Sequence, residues 1–219
     1  MVQKEGQAPR GRGRPRSFDA DAVLDQARSV FWNLGYAATS LDDLAAATGL
    51  NRPSLYAAFG DKHALYMAAL ERSRSEAGAA LGAALKTEAP LRDLLIVIFE
   101  RTTDIYRRGD AGQRGCFLIG TAVTQAVDDP EARDLLARFI AETDAVFLER
   151  LERDADQLAR GVDPKAAATM CTATFHTLAV RARTGAGEEE MKSLARGTVG
   201  LICGANPRPP HEVGGERAG

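Results

Sequence analysis

The sequence predicts an all-α protein of about nine helices, and three observations support this class. Apolar residues recur every three or four positions along most of the 219-residue chain, as on one face of a helix. Short stretches containing Gly, Pro and Asp interrupt this pattern, as at helix ends. No segment alternates apolar and polar residues as a strand does, and no repeat of about 20–50 residues is present.

The composition predicts a soluble, cytoplasmic protein with a buried core, because 45% of its residues are hydrophobic and 26% are charged. Cys116, Cys171 and Cys203 form no C-x-x-C pair, which favours a reducing compartment and argues against a metal site. The longest apolar run, residues 94–99, is too short to cross a bilayer. No group of residues suggests a catalytic site, so we expect neither an enzyme nor a cofactor.

The first 17 residues are expected to be a disordered basic arm. Residues 1–16 carry a net charge of +4, whereas the whole chain carries −2. Such asymmetry is typical of an arm that touches DNA phosphates, and Arg14 and Arg16 are its candidate contacts. Its RGRP segment resembles an AT-hook that places arginine in a narrow minor groove. A solvated tail that adds only non-specific affinity is the alternative.

Two helices follow the arm. Asp19 is a candidate cap for the first, which ends at Gly35, and we expect Trp32 of this helix to pack on the fourth helix. Ser40 and Asp43 form an S-x-x-D capping box for the second. The apolar face of the first helix comprises Val23, Ala27, Val30, Phe31 and Leu34.

A tight turn and a short third helix come next. Gly49 supplies the left-handed turn, and Asn51 caps a helix that has Pro53 in its first turn. Leu44, Leu50 and Leu55 are spaced to form a small core with Phe31, next to the small residue Ala45. The outward residues of the third helix are then Arg52, Pro53, Ser54, Tyr56 and Ala57. This pattern predicts a helix-turn-helix whose short helix enters the major groove, although an ordinary helical hairpin has similar spacing.

Residues 18–70, through FWNLGYAATSL and GLNRPSLYAAFGDK, resemble the TetR family of bacterial transcriptional regulators. The resemblance implies a homodimer that binds a palindromic double-stranded DNA operator and carries a C-terminal small-molecule pocket. By position, it implies that Arg52 reads guanine and that Pro53 contacts a thymine methyl group. It also implies phosphate contacts from Ser40, Ser54, Tyr56 and Lys62.

This chain departs from the family pattern at two places near the DNA-facing side. Ala57 and Ala58 stand where relatives often carry larger side chains, so base reading is expected to depend more on Arg52. Asp42 and Asp43 place negative charge beside that side, and we expect both to serve helix capping rather than any contact.

The rest of the chain predicts a larger helical domain. Helices are expected at 62–86, 91–108, 117–127, 131–160, 164–183 and 188–203, separated by segments such as TEAP, DDP and GVDP. We therefore predict a DNA-binding domain at 18–61, with the motif at about 40–59, a domain for effector binding and dimerisation at 62–204, and a disordered tail at 205–219. His63 is expected at the surface.

The larger domain offers an effector site and a dimer interface. Helices 164–183 and 188–203 are apolar around much of their surface, which favours a four-helix bundle between two subunits. Aromatic and polar side chains on the other helices suggest a cavity for a neutral or weakly polar, possibly aromatic ligand, although ordinary core packing also explains most of them. The candidate pocket residues are Phe99, Thr103, Tyr106, Phe117, Thr121, Phe139, Phe175 and His176.

These features favour a ligand-responsive DNA-binding regulator, most simply a repressor. The alternatives are an architectural DNA-binding protein without an effector and an α-helical enzyme with an appended DNA-binding domain. Cys116 is expected either to be a packed core residue or to be a redox sensor whose pKa is lowered by a helix start and by Arg114.

Overall fold

The computed structural model describes residues 18–108 and 114–204. Within these ranges the chain forms nine α-helices and no strand, so the predicted all-α class is confirmed. The helices are α1 (Ala20–Leu34), α2 (Leu41–Thr48), α3 (Arg52–Phe59), α4 (Lys62–Leu85), α5 (Leu91–Tyr106), α6 (Val123–Gln125), α7 (Pro130–Arg153), α8 (Pro164–Arg183) and α9 (Glu188–Cys203). The predicted basic arm at 1–17 and the tail at 205–219 lie outside the described residues.

The ends of the first three helices follow from local side chains. Asp19 accepts hydrogen bonds from two backbone N–H groups in the first turn of α1. Gly49 adopts φ 67°, the left-handed conformation that terminates α2 and that side chains disfavour. Asn51 accepts a 2.9 Å bond from the Ser54 N–H at the start of α3. Gly60, at φ 82°, follows its last residue, so α3 is a helix of only eight residues.

The predicted helix at 117–127 is irregular. It opens as a π-helical turn, Leu118–Ala122, and continues as the short α6. The hydroxyl of Thr121 donates to the Phe117 carbonyl at 2.8 Å, and side-chain bonds of this kind compete with regular backbone bonding. Such widened turns occur frequently at functional sites, and this one contacts α1, α4, α7 and α8.

Helix α7 ends at Arg153 and not at residue 160. The guanidinium of Arg150, which is only 4% exposed, pairs with Asp154 at 2.6 Å. It also donates to three backbone carbonyls at the connection between α4 and α5. This buried arginine joins three segments of the chain, and the backbone leaves the helix at its carboxylate partner.

The buried apolar residues form two clusters. The first gathers side chains from α1, α2, α3 and the first half of α4, together with Phe117, Leu118 and Leu135. The second lies among α5, α7, α8 and α9. Residues on both sides of the predicted boundary at 61/62 share the first cluster, and the division into domains there stays a prediction. No helix of the described ranges is long and apolar enough to cross a membrane.

Candidate DNA-binding surface and effector site

The helix-turn-helix is held by its inner residues. Leu44 of α2 and Leu55 of α3 are buried in the first cluster with Phe31 of α1 and Tyr66 of α4. The Phe31 and Tyr66 rings meet edge to face at 5.1 Å between centroids. Because α3 contributes one buried residue, Leu55, most of its surface remains available for a partner.

The outer face of α3 presents the residues singled out in the sequence. Arg52, Pro53 and Tyr56 are exposed and Ser54 is half-buried. Tyr56 remains 47% accessible, so its ring and hydroxyl are available to a partner. This face is therefore a protruding surface of mixed cationic, hydroxyl and aromatic chemistry.

Arg52 makes an ion pair that the sequence did not indicate. Its Nε donates to Asp42 Oδ1 at 2.8 Å and its Nη2 donates to Asp42 Oδ2 at 2.6 Å. The Asp42 carboxylate thus joins α2 to α3, a role beyond the expected helix capping. Asp43 alone completes the capping box with Ser40.

Ser40 and Lys62, two predicted phosphate contacts, already use donors within the protein. The Ser40 N–H and hydroxyl both donate to Asp43, and these bonds lower the pKa of the Asp43 carboxyl. Lys62 Nζ donates to the carbonyls of Tyr36 and Thr39 at 3.1 and 3.0 Å. Both residues thus stabilise the chain around the start of α2, and their phosphate contacts stay predictions. Arg14 and Arg16 lie outside the described residues.

The candidate pocket residues fall into both hydrophobic clusters. Phe99 and Phe175 meet at 5.2 Å between ring centroids, and each also contacts the Phe147 ring. Phe117 belongs instead to the first cluster, and the buried Thr121 accepts a 2.9 Å hydrogen bond from the hydroxyl of Tyr66 in that cluster. The aromatic set therefore splits into a group on α5, α7 and α8 and a group around the π-helical turn.

Three further candidates lie between the two groups. Tyr106, at the end of α5, interacts with the Cys116 thiol, and both residues are partly buried. The Phe139 ring of α7 lies 6.5 Å from the His176 ring of α8. These contacts connect the group on α5, α7 and α8 with the π-helical turn.

Several buried polar atoms on α5, α7 and α8 have no hydrogen-bond partner among the residues that the structure describes. They are Thr103 Oγ1, Asp144 Oδ1, Thr172 Oγ1 and His176 Nε2. Such atoms are uncommon in folded proteins and often mark a place where water or a ligand binds. Burial lowers the pKa of His176, against an opposing effect of Asp144, so the imidazole is neutral at pH 7.

The sequence pattern did not indicate two of these polar residues, Asp144 and Thr172, as candidates for the effector site. Thr172 stands one helical turn before His176, and this spacing is the signal that could have indicated it. Asp144 lies on a different helix, and nothing in the sequence pattern relates it to His176.

A junction of aromatic and basic residues connects α1 to α8. The Trp32 indole donates from Nε1 to the Arg114 carbonyl at 2.9 Å, and the Arg114 guanidinium lies 4.2 Å from the Trp32 ring. Arg183 of α8 donates to the Trp32 carbonyl at 3.1 Å. Trp32 also contacts the Phe117 ring at 5.6 Å. Trp32 thus packs against the segment around the π-helical turn, and its expected packing on α4 stays a prediction.

One smaller expectation is corrected, and one open alternative is favoured. His63 is half-buried, and its Nε2 lies 2.7 Å from Asp129 Oδ2 just before α7. Burial raises the pKa of Cys116, against the lowering effect of hydrogen bonds from backbone N–H groups and Tyr106. A thiol with a raised pKa is a poor nucleophile, which favours a packed core cysteine.

The outer faces of α8 and α9 carry exposed apolar side chains. Met170, Val180 and Leu201 are 42%, 54% and 67% exposed. Among the described residues, no cluster of three or more His, Cys, Asp or Glu side chains could hold a metal ion.

Comparisons with known proteins agree with this architecture. Residues 23–69 match the family described as bacterial regulatory proteins, tetR family. The chain is 32% identical over 198 residues to the HTH-type transcriptional repressor ComR of Escherichia coli (strain K12), covering 88% of this chain and 92% of ComR. It is 31% identical over 139 residues to the HTH-type transcriptional activator FasR of Mycolicibacterium smegmatis, covering 63% of this chain and 61% of FasR.

A solved structure shows the same fold in contact with DNA. A cysteine mutant of the TetR family regulator CifR, bound to a 26-base-pair operator, superimposes with a TM-score of 0.71 at 31% identity. The match covers 85% of this chain and 98% of the CifR chain. With one relative matched over nine-tenths of its length and a helix-turn-helix in the expected place, this chain belongs to the TetR family of transcriptional regulators and is a DNA-binding regulator of transcription.

Proposed function

We propose that this protein is a cytoplasmic, homodimeric repressor that leaves a palindromic operator when a small-molecule effector binds. The observation that carries the proposal is the outer face of α3, where Arg52, Pro53 and Tyr56 are exposed on a helix fixed from behind by Leu55. A short helix with such a face fits a major groove about 12 Å wide. The kinship with the repressor ComR supports the same direction of regulation.

In this proposal the residues divide into base readers and phosphate contacts. Arg52 pairs with guanine, and the Pro53 ring contacts a thymine methyl group. Ser54 and Tyr56 reach phosphates from α3, with Ser40, Lys62, Arg14 and Arg16 as further phosphate contacts. Ser40 and Lys62 already donate within the protein, so each must exchange an internal bond or use its remaining hydrogen-bonding capacity to reach a phosphate.

The dimer would form through α8 and α9 of each subunit, packed as a four-helix bundle. Leu201 on α9 and Val127 after α6 offer a matched test because they are 67% and 70% exposed. Leu201→Glu should dissociate the dimer in sedimentation experiments at micromolar concentration, whereas Val127→Glu should leave it intact. A wild-type monomer at that concentration would contradict the proposal.

The effector would bind between α5, α7 and α8. A ligand there would have aromatic walls from Phe99 and Phe175 and hydrogen-bonding groups from Thr103, Thr172 and His176. Buried polar atoms without partners cost about 1–3 kcal/mol each, and a ligand that pairs them recovers part of that cost. This chemistry favours a mainly apolar, neutral or weakly polar effector that carries at least one hydrogen-bonding group.

Release from DNA would follow the contacts that connect this site with α1. Phe139 touches His176, the π-helical turn packs on α8, and Trp32 contacts both Phe117 and the Arg114 segment. A displacement carried to α1 would alter the spacing of the two α3 helices, which must match half-sites about 34–36 Å apart. The effector would then bind the DNA-bound protein less tightly than the free protein. This loss of affinity equals the factor by which the effector weakens DNA binding.

Footprinting on DNA that flanks the protein's own gene tests the proposal. At 0.15 M salt we expect protection of two symmetric half-sites and an affinity at least about 10³-fold above that for unrelated DNA. Even coverage with equal affinities would support an architectural protein instead. Deletion of the gene should raise transcription from the footprinted promoter, and a fall in transcription would identify an activator.

A further inference from the structure

The ion pair between α2 and α3 has a specific geometry. Asp42 holds the side edge of the Arg52 guanidinium, formed by Nε and Nη2, with both carboxylate oxygens. The two residues are ten positions apart, in different helices of the motif. Both are exposed, with side-chain accessibilities of 54% for Arg52 and 74% for Asp42, so packing does not impose this arrangement.

The bonds to Asp42 leave the other edge of the guanidinium available. Arginine has five N–H groups in one plane. Two of these point to Asp42, which leaves both N–H groups of Nη1 and one of Nη2. One N–H of Nη1 and the remaining N–H of Nη2 are parallel, and this pair of donors matches the O6 and N7 acceptors of guanine in the major groove. Because the group is planar, fixing one edge also orients the other.

We propose that Asp42 is a specificity-determining residue that orients Arg52 for bidentate recognition of one guanine. The inference depends on the proposed function, since it requires α3 to lie in the major groove. Asp42 would not touch DNA. Its carboxylate would restrict the rotation of the guanidinium and would keep the arginine from binding a nearby phosphate, a contact that carries no sequence information.

Electrostatic repulsion alone predicts a different effect of removing Asp42. A carboxylate near DNA repels phosphates, so its removal should strengthen binding to every sequence. If Asp42 orients Arg52, its removal should instead weaken the preference for guanine. The ratio of affinities for two operators that differ at one base pair separates these effects, because general repulsion cancels in that ratio.

The experiment uses the full-length protein and an operator obtained by footprinting. The guanine is identified as the base pair whose replacement by A·T weakens wild-type binding about tenfold or more but does not weaken binding of Arg52→Ala. Affinities of Asp42→Ala, Asp42→Asn and Asp42→Glu are then measured on both operators and on unrelated DNA. Circular dichroism checks that each variant is folded.

We expect Asp42→Ala to reduce the guanine preference at least about fivefold while its affinity for unrelated DNA stays equal or rises. Asp42→Asn should behave similarly, and Asp42→Glu should restore part of the preference because it keeps a carboxylate. In Arg52→Ala, removing Asp42 should leave the ratio unchanged.

An unchanged guanine preference in Asp42→Ala, with tighter binding to all DNA, would overturn the inference and leave the proposed function intact. If wild type shows no base preference that depends on Arg52, the inference also fails. If the protein binds its operator without such a preference, only the assignment of Arg52 as the guanine-contacting residue is wrong. Equal affinity for operator and unrelated DNA would contradict the proposed function itself.

Discussion

Trp32→Phe should weaken both the stability of the protein and the communication between effector and DNA. Trp32 is the single tryptophan of the chain, and it donates to the Arg114 carbonyl and lies against the Arg114 guanidinium. Phenylalanine keeps an aromatic ring next to Phe117 but cannot donate. The variant therefore removes directed interactions while it retains most of the apolar contact.

The expected loss of stability follows from these contacts. A hydrogen bond of this kind contributes about 0.5–1.5 kcal/mol, and a cation–π contact about 0.5–1 kcal/mol, part of which phenylalanine retains. We expect the free energy of unfolding to fall by about 1–2 kcal/mol. With a urea m-value of about 2 kcal/mol per M, the midpoint should fall by roughly 0.5–1 M.

Urea unfolding followed by circular dichroism, at a fixed protein concentration, measures this change. Operator affinity with and without effector measures the coupling, and we expect wild-type affinity without effector but a severalfold smaller effect of the effector. Leu34→Ala is the control, because Leu34 lies in the same helix and is 49% exposed. A Trp32→Phe protein with the wild-type midpoint and the full effector response would refute the role of this junction.

Three other outcomes are expected. Arg150→Met should lower the free energy of unfolding by about 3–5 kcal/mol, because it leaves the buried Asp154 carboxylate and several carbonyls without their partner. A change below about 1 kcal/mol in urea unfolding would contradict this role of Arg150. Iodoacetamide should modify Cys116 much more slowly in the native protein than in urea at pH 8, since burial raises the pKa of this thiol and keeps it protonated. Equal modification rates, measured by mass spectrometry, would indicate a reactive cysteine. Phe175→Trp should abolish the effector response while operator affinity is kept, and a normal response would place the effector elsewhere.

The sequence predicted features that depend on neighbouring residues. The capping box at Ser40 and Asp43, the turn at Gly49 and the limits of α8 and α9 all involve groups within a few positions of each other. Such signals are local, and they are largely independent of the rest of the fold. They also sufficed to predict the all-α class and the helix-turn-helix.

Some features that depend on contacts between helices were not predicted, although the core of Phe31, Leu44 and Leu55 was. Spacing places Asp42 at the start of α2, but only the packing of α2 against α3 brings it to Arg52. For Cys116 the sequence left two alternatives, a packed residue and a sensor with a lowered pKa. Burial in the folded chain raises the pKa of this thiol, which favours the packed residue.

The candidate pocket shows the same limit. Its aromatic residues were chosen by helical spacing, which identifies inward-facing positions but not the helices that face each other. In the structure the Phe99 and Phe175 rings are in contact, whereas Phe117 lies next to the π-helical turn in the other cluster. The polar partners Asp144 and Thr172 became evident only from their buried atoms in the folded chain.

The most direct test of the central claim, that α3 reads the operator, compares wild type and Arg52→Ala on operator and unrelated DNA at 0.15 M salt. Loss of a bidentate guanine contact should cost about 1–3 kcal/mol on the operator, or about 5- to 150-fold in affinity, and relax the preference at one base pair. Binding to unrelated DNA should change much less, because the Arg52 charge is already paired with Asp42. An equal loss of affinity on both DNAs would contradict the account.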